Sequence, residues 1–255
     1  MNAARRLLTG LLQGTLDLVY APVCLGCGGS IATAETERLV CRTCWARARP
    51  LPAARCERCW DPIPLGSSAD SPCPRCQEIP PAVRVIRSAF LMAEPVRELV
   101  HALKYLGWEA VAVPLAARML SLPLPEDVEE EARLVVPVPI SRVRLRERGY
   151  NQAELLAAAF ADQSGRVCEP ALLARTRANE RQTALHPSER RANVAGAFTV
   201  PQPRRAEIGG EHVLLIDDVW TTGATALSCA EALLEGGARV VSVLTFARAL
   251  PDLDR

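Results

Sequence analysis

Lysine is almost missing from this chain: Lys104 is the one lysine among 30 Lys and Arg residues in 255. A Walker-type phosphate loop, G-x-x-x-x-G-K-[ST], needs a lysine directly after its glycine, so that class is excluded. No G-x-G-x-x-G occurs either, which removes the Rossmann dinucleotide reading. Aromatic residues are few (four Trp, three Tyr, four Phe), which weakens the case for a surface dedicated to stacking the bases of a single strand. The formal charge of +1 argues against a basic nucleic-acid surface over the whole chain and leaves room only for local arginine clusters. No apolar run is long enough to cross a bilayer. The leucine-rich stretch 1–22 is broken by Gly10, Gln13, Gly14 and Asp17 and shows no clear small-residue cleavage site. It reads as a short amphipathic helix rather than a secretory signal.

Cysteine, by contrast, is concentrated. Eight of ten lie in four C-x-x-C pairs: Cys24/Cys27, Cys41/Cys44, Cys56/Cys59 and Cys73/Cys76. Adding 32 to the first four positions gives the second four, so residues 23–80 hold an internal repeat of C-x2-C-x13-C-x2-C. Each unit supplies four thiolates at zinc-knuckle spacing. The reading is a double zinc ribbon with two structural Zn²⁺, each with all four positions filled by protein and none open for catalysis. Such a module suits a reducing, cytoplasmic setting. Cys168 and Cys229, unpaired in sequence, read as small apolar residues. Pro80-Pro81 closes the module and places a domain boundary near residue 81, with the two parts expected to be stabilised separately.

Residues 81–255 alternate strand and helix patterns. They run from a strand over 83–92 and a helix over 94–106 to a second helix over 108–122, followed by an acidic loop over 123–131. Next come a buried strand, RLVVPVP, and an arginine-rich loop, ISRVRLRERGYNQAE. A helix from Asn151 to Gly165, the strand VLLI, a helix over 224–236 and a strand over 239–246 complete the order. The fold class is α/β, a mostly parallel sheet flanked by helices.

VLLIDDVWTTGAT, Val213 to Thr225, is the most specific stretch. An apolar strand ends in Asp217 and Asp218, and a loop with Thr221, Thr222, Gly223, Ala224 and Thr225 leads into a helix. A helix N-terminus offers unpaired N–H groups and partial positive charge, so this loop can cradle a phosphate while the carboxylates suit sugar hydroxyls or a divalent metal.

These thirteen residues resemble the phosphoribosyl-pyrophosphate (PRPP) motif of type I phosphoribosyltransferases. The resemblance implies that Asp217 and Asp218 hold the ribose hydroxyls and that residues 221–225 wrap the 5′-phosphate. It also implies Mg²⁺ with PRPP, or another ribose 5-phosphate ligand, and a site at one edge of the sheet. Thr221 stands where purine-salvage members carry an acidic residue, which puts a purine acceptor in doubt. The loop after VPVP, with Arg142, Arg144, Arg146 and Arg148, is the counterpart of a pyrophosphate loop. Lys104, at the end of a helix beside Gly107, is either a cap or a further anion contact. The tracts RGYNQAE and RQTALHPSERRANVAGAF, behind paired C-x-x-C knuckles, resemble the competence protein ComF family over nearly the whole chain. By position, the longer basic tract ARTRANERQTALHPSERRANVAGAF that contains the second corresponds to a loop that closes over PRPP, with Arg177, Arg181, Gln182, Arg190 and Asn193 as its candidates. The same resemblance implies a role in DNA uptake with single-stranded DNA and a competence helicase as partners. Two functions follow: an Mg²⁺-dependent phosphoribosyltransferase, and a non-catalytic module binding PRPP, nucleotide or single-stranded DNA.

Overall fold

The computed structural model describes residues 22–32, 34–63, 73–176 and 196–250. Two short helices lie in the cysteine-rich part, α1 (Arg42–Arg47) and α2 (Pro74–Gln77). The rest follows as β1 (Val83–Leu91), α3 (Val96–Tyr105), α4 (Ala112–Leu120), α5 (Glu126–Glu131), β2 (Leu134–Pro137), α6 (Arg142–Arg148), α7 (Gln152–Ser164), β3 (Val167–Cys168), β4 (Ala174–Arg175), β5 (Phe198–Thr199), α8 (Arg205–Ile208), β6 (His212–Trp220), α9 (Ala224–Glu235) and β7 (Val240–Arg248). Five strands form one parallel sheet in the order β1-β7-β6-β2-β3, and β4 pairs with β5 in a separate antiparallel ladder. The strand of the phosphate-loop motif, β6, is central. Its carboxyl end, which carries Asp217 and Asp218, lies at the edge of the sheet where ligands of open parallel sheets bind.

Side chains alternate between faces along a strand, and β6 is apolar on both because both are covered. Leu214 and Ile216, with Leu244 and Phe246 of β7, pack against Leu99, Leu103, Leu115, Met119, Leu156 and Phe160 of α3, α4 and α7. Val213 and Leu215, with Val241 and Val243, pack against Ala226, Leu227, Ala230 and Leu233 of α9. Each large side chain removed from water here contributes roughly 1.5–3 kcal/mol.

The cysteine repeat lies along the β1 edge, the first unit packing on one face and the second reaching both, with Trp60 on the first unit's side and Cys59 on the other. Cys24, Ile31, Val40 and Cys44 belong to the core that contains Leu99 and Phe160, and Trp45 meets Phe90 and Phe246 at ring-centroid distances of 6.2 and 6.5 Å. Cys59 and Ile79 belong to the other core, beside Ile86 and Leu227. Backbone bonds tie both units to the strand: Leu91 N–H donates to Arg49 O (2.8 Å) and Ile86 N–H to Arg58 O (2.9 Å). An open parallel edge is thereby covered. The sequence expectation is that the two parts are stabilised separately; the packing shows that the cysteine units share buried clusters with the sheet.

Four local expectations are also corrected. The acidic stretch after Pro125 is the helix α5 rather than a loop, with Glu126, Asp127 and Glu129 in its first turn complementing the helix dipole and Val128 buried. The arginine-rich loop contains the helix α6. Ser141 Oγ accepts from Arg144 N (3.2 Å) at its start, and Gly149 in the left-handed region ends it. The helix expected from Trp108 opens instead as a 3-10 turn, Glu109–Val111, before α4. Finally, β6 does not stop at Ile216 but continues through both aspartates to Trp220, held by pairing of Asp217 with Thr245, Val219 with Ala247 and Trp220 with Arg248. Among the described residues no helix is long and apolar enough to cross a membrane.

Candidate functional site

The two aspartates lie at successive positions of β6, so they project to opposite faces of the sheet. Asp218 turns toward α3 and is buried. Its Oδ2 lies 2.8 Å from Lys104 Nζ, and that ion pair supplies its compensation, since the oxygen accepts no other hydrogen bond among the described residues. Asp217 is half-buried on the α9 side, and its Oδ1 accepts the Asp218 N–H at 2.8 Å. Burial, followed by the charge of Asp218, pushes its carboxyl well above the usual carboxylate range. Thr245, its neighbour in register, is buried and bonded to Ser88 (Oγ to Oγ1, 2.7 Å), so the strand ends beneath the site are fixed by side chains as well as by the ladder.

The loop that follows is held by Trp220 and Gly223. Gly223 caps α9 with φ +80°, and a Cβ there would lie 2.3 Å from Trp220 Cζ2, so only glycine fits for reasons of both backbone and space. Thr222 Oγ1 accepts the Ala224 N–H at 3.4 Å. The other first-turn N–H groups of α9, including that of Thr225, have no partner within the helix. Exposed Thr221 and half-buried Thr222 stand in front of them, and unpaired N–H groups with hydroxyls beside them have the chemistry to accept an anion.

Lys104 also lines a cavity of ≈ 160 Å³ with Tyr105, Gly107, Arg144, Glu147, Arg148 and Tyr150. The helix α6 sorts the arginines: Arg144 and Arg148, four apart, share the face that meets this cavity, whereas Arg142 and Arg146 are exposed and do not line it. Arg148 stacks over Tyr105 (5.0 Å to the ring centroid) and donates to Gln152 Oε1. Tyr150 Oη donates to Leu103 O at 2.6 Å, which ties the end of α3 to the segment after α6. Arg144 was one of four equal candidates in the sequence, and its i,i+4 spacing to Arg148 is the signal that distinguishes it once a helix is recognised. Tyr105 and Tyr150 carried no signal of their own. Arg177, Arg181, Gln182, Arg190 and Asn193 lie outside the described residues, as do residues 1–21 of the helix expected over 1–22.

A larger cleft of ≈ 800 Å³ opens elsewhere, between the second cysteine unit and β1, and contains Arg55, Arg58, Arg84 and Arg87. Most of its arginine donors are in use. Arg58 donates to the carbonyls of Cys76, Pro80 and Val83, Arg84 makes two bonds to Asp127 (2.7 and 3.1 Å), and Arg87 donates to the carbonyls of Pro123, Arg58 and Ile86. Neither aspartate lines this cleft.

The cysteines form two clusters, Cys24/Cys27/Cys41/Cys44 and Cys56/Cys59/Cys73/Cys76. Sulfur separations of 3.6 and 3.9 Å in the first and 3.5 and 3.7 Å in the second are far too long for disulfides. They match a tetrahedron with Zn–S near 2.3 Å, whose edge is about 3.8 Å. Burial pushes the Cys44 and Cys59 thiols far above their ordinary range, so four thiolates coexist there only around a cation. Cys24 is buried too, yet N–H donors from Cys41 and Gly26 bring it down to about 7. The residues fit two structural Zn²⁺. Cys229 is buried in the α9 core, as its apolar reading required, and Cys168 is partly buried.

Residues 15–77 match the double zinc ribbon domain family. The DNA utilization protein YhgH of Salmonella typhi is 32% identical over 221 residues, covering 83% of this chain and 91% of that protein. Competence protein ComFC of Bacillus subtilis is 26% identical over 243 residues, covering 89% and 95%. The chain belongs to the ComF family. Among solved structures, the glutamine PRPP amidotransferase of B. subtilis complexed with ADP and GMP aligns at a TM-score of 0.36 with 21% identity, over 57% of this chain and 26% of that one.

Proposed function

We propose that this ComF-family chain binds PRPP with Mg²⁺ at the carboxyl end of β6 and acts as a phosphoribosyltransferase in DNA utilisation within the cytoplasm. On this reading residues 23–80 are the zinc module and 81–255 the ligand domain. The observation that carries the reading is the convergence of Asp217, Asp218, the single lysine and a glycine-capped helix N-terminus at the end of one central strand. Residues 221–225 would take the 5′-phosphate, and the carboxylates the ribose hydroxyls. Arg144 and Arg148 would face the pyrophosphate, and Lys104 lies between Asp218 and those arginines. Breaking the bond from C1′ to pyrophosphate builds negative charge on the leaving group, which these cations stabilise without any proton transfer. Because Asp218 Oδ2 is committed to Lys104, Mg²⁺ would be held by substrate oxygens with Asp217 and would neutralise the leaving group.

Calorimetric titration of PRPP with Mg²⁺, repeated with ribose 5-phosphate and with inorganic pyrophosphate as competitors, tests this reading. Both competitors should displace PRPP, since each fills one half of the site. Failure of either to compete would contradict the assignment of that half. A second reading, a non-catalytic module that contacts single-stranded DNA and a helicase, is favoured by the exposure of Tyr105 (65%) and Trp108 (46%) beside the arginine-lined cavity. It requires binding of a short oligonucleotide that weakens steeply with salt.

A further inference from the structure

The two zinc ribbons are equivalent in sequence but not in what they touch. Trp45 of the first unit packs on Phe90 and Phe246, on the face opposite α9. The second unit reaches the phosphate loop through two buried side chains. Cys59 O accepts a 2.6 Å hydrogen bond from Nη2 of Arg248, the last residue of β7, and Arg248 Nη1 lies 3.5 Å from Asp61 Oδ1. Arg248 is 1% exposed, and among the described residues neither its Nε nor its Nη1 makes a hydrogen bond, so the Cys59 carbonyl and the Asp61 charge are the polar partners seen to hold this guanidinium. Its other neighbour is Trp220, paired with it in register, whose ring centroid lies 5.3 Å from the guanidinium carbon. Trp220 in turn leaves no clearance to Gly223, the residue that caps α9.

A buried guanidinium cannot turn away from its partners without stranding a charge, and a close-packed ring passes displacement to whatever touches it. The Cys59 carbonyl has a fixed position only while the knuckle around it is closed on its metal. We propose that the second zinc centre, acting through Arg248 and Trp220 as positioning residues, sets the geometry of the phosphate loop from Trp220 to Thr225, and that the first zinc centre does not. The consequence for ligand affinity rests on the PRPP reading above; the consequence for the loop itself does not.

The test is hydrogen exchange of the backbone amides over 221–227 in the full chain, with zinc content measured on every sample. Cys73→Ser removes a ligand of the second centre without touching the Cys59 carbonyl, and Cys27→Ser does the same at the first centre. Exchange in 221–227 should become about ten-fold faster in Cys73→Ser and stay unchanged in Cys27→Ser. Arg248→Met, which keeps both zinc ions, should reproduce the effect of Cys73→Ser, and Arg248→Lys should restore part of the protection. Trp220→Phe, a milder change should the cysteine variants fail to fold, should also speed loop exchange, and adding Arg248→Met to it should add little. Equal loop exchange in the two cysteine variants, or unchanged exchange in Arg248→Met and Trp220→Phe, overturns the proposal. PRPP titration of the same variants separates the two claims. A wild type that does not bind PRPP refutes the functional reading and leaves the exchange result to decide the coupling.

Discussion

Lys104 Nζ lies 2.8 Å from Asp218 Oδ2, so the one lysine of the chain neutralises a buried aspartate of the central strand β6. Removing one member of such a pair leaves the other uncompensated. Lys104→Met should cost about 3 kcal/mol, somewhat less than a fully buried pair because Lys104 is partly exposed. The double variant Lys104→Met/Asp218→Asn should cost less than the sum of the singles. A urea-denaturation cycle giving a coupling energy near zero would show that the pair carries no stability.

Asp217 gives a pH signature. Its carboxyl is raised in the folded state, so it favours folding fully below the unfolded value near 3.8 and loses that contribution as pH rises through the raised folded value. At neutral pH the ionised carboxylate is therefore a cost, and Asp217→Asn should stabilise the protein there by about 1 kcal/mol. The advantage should shrink as pH falls. Paired melting curves of wild type and variant across this range check the sign, and a gain that grows toward acid would refute it.

The helix α6 predicts a division among four arginines that composition treats alike. Arg144→Gln and Arg148→Gln should each weaken PRPP or pyrophosphate binding about ten-fold, as expected for one charge-assisted contact. Arg142→Gln and Arg146→Gln should change it less than about two-fold, because surface charges away from the anion are screened. A uniform loss across all four would mean that they act as a diffuse field rather than as two contacts.

Gly223 admits no side chain. Gly223→Ala must place a Cβ against the Trp220 ring in a left-handed backbone, and should cost about 2–3 kcal/mol. A thermal shift smaller than about 2 °C would show that the ring yields freely.

The parts of this architecture that the sequence made legible are those with a short-range cause. The thiolate clusters follow from four C-x-x-C pairs and a 32-residue repeat, and the central strand from an uninterrupted apolar run. What stayed hidden depends on distant partners. Nothing near Lys104 announces Asp218, 114 positions later, and a helix C-terminus next to glycine reads equally well as a cap. Asp217 to Trp220 look like a loop because charges follow the apolar run; the ladder to β7 keeps them in the strand. The arginines of 142–148 read as a loop for want of apolar periodicity, since Ser141 and Gly149 define a helix that buries little. The arrangement of the ribbons on both faces of the sheet was likewise invisible, because identical spacing says nothing of what each unit packs against.

Isothermal titration of PRPP with Mg²⁺ into wild type and Asp217→Asn/Asp218→Asn measures directly whether the two aspartates hold a phosphoribosyl ligand. The exchange preserves size and shape, so the variant should retain its fold and both zinc ions. Wild type should bind, and the variant should lose at least about a hundred-fold in affinity, the equivalent of two charge-assisted contacts. Equal affinity in the two proteins would contradict the phosphoribosyl reading of this site.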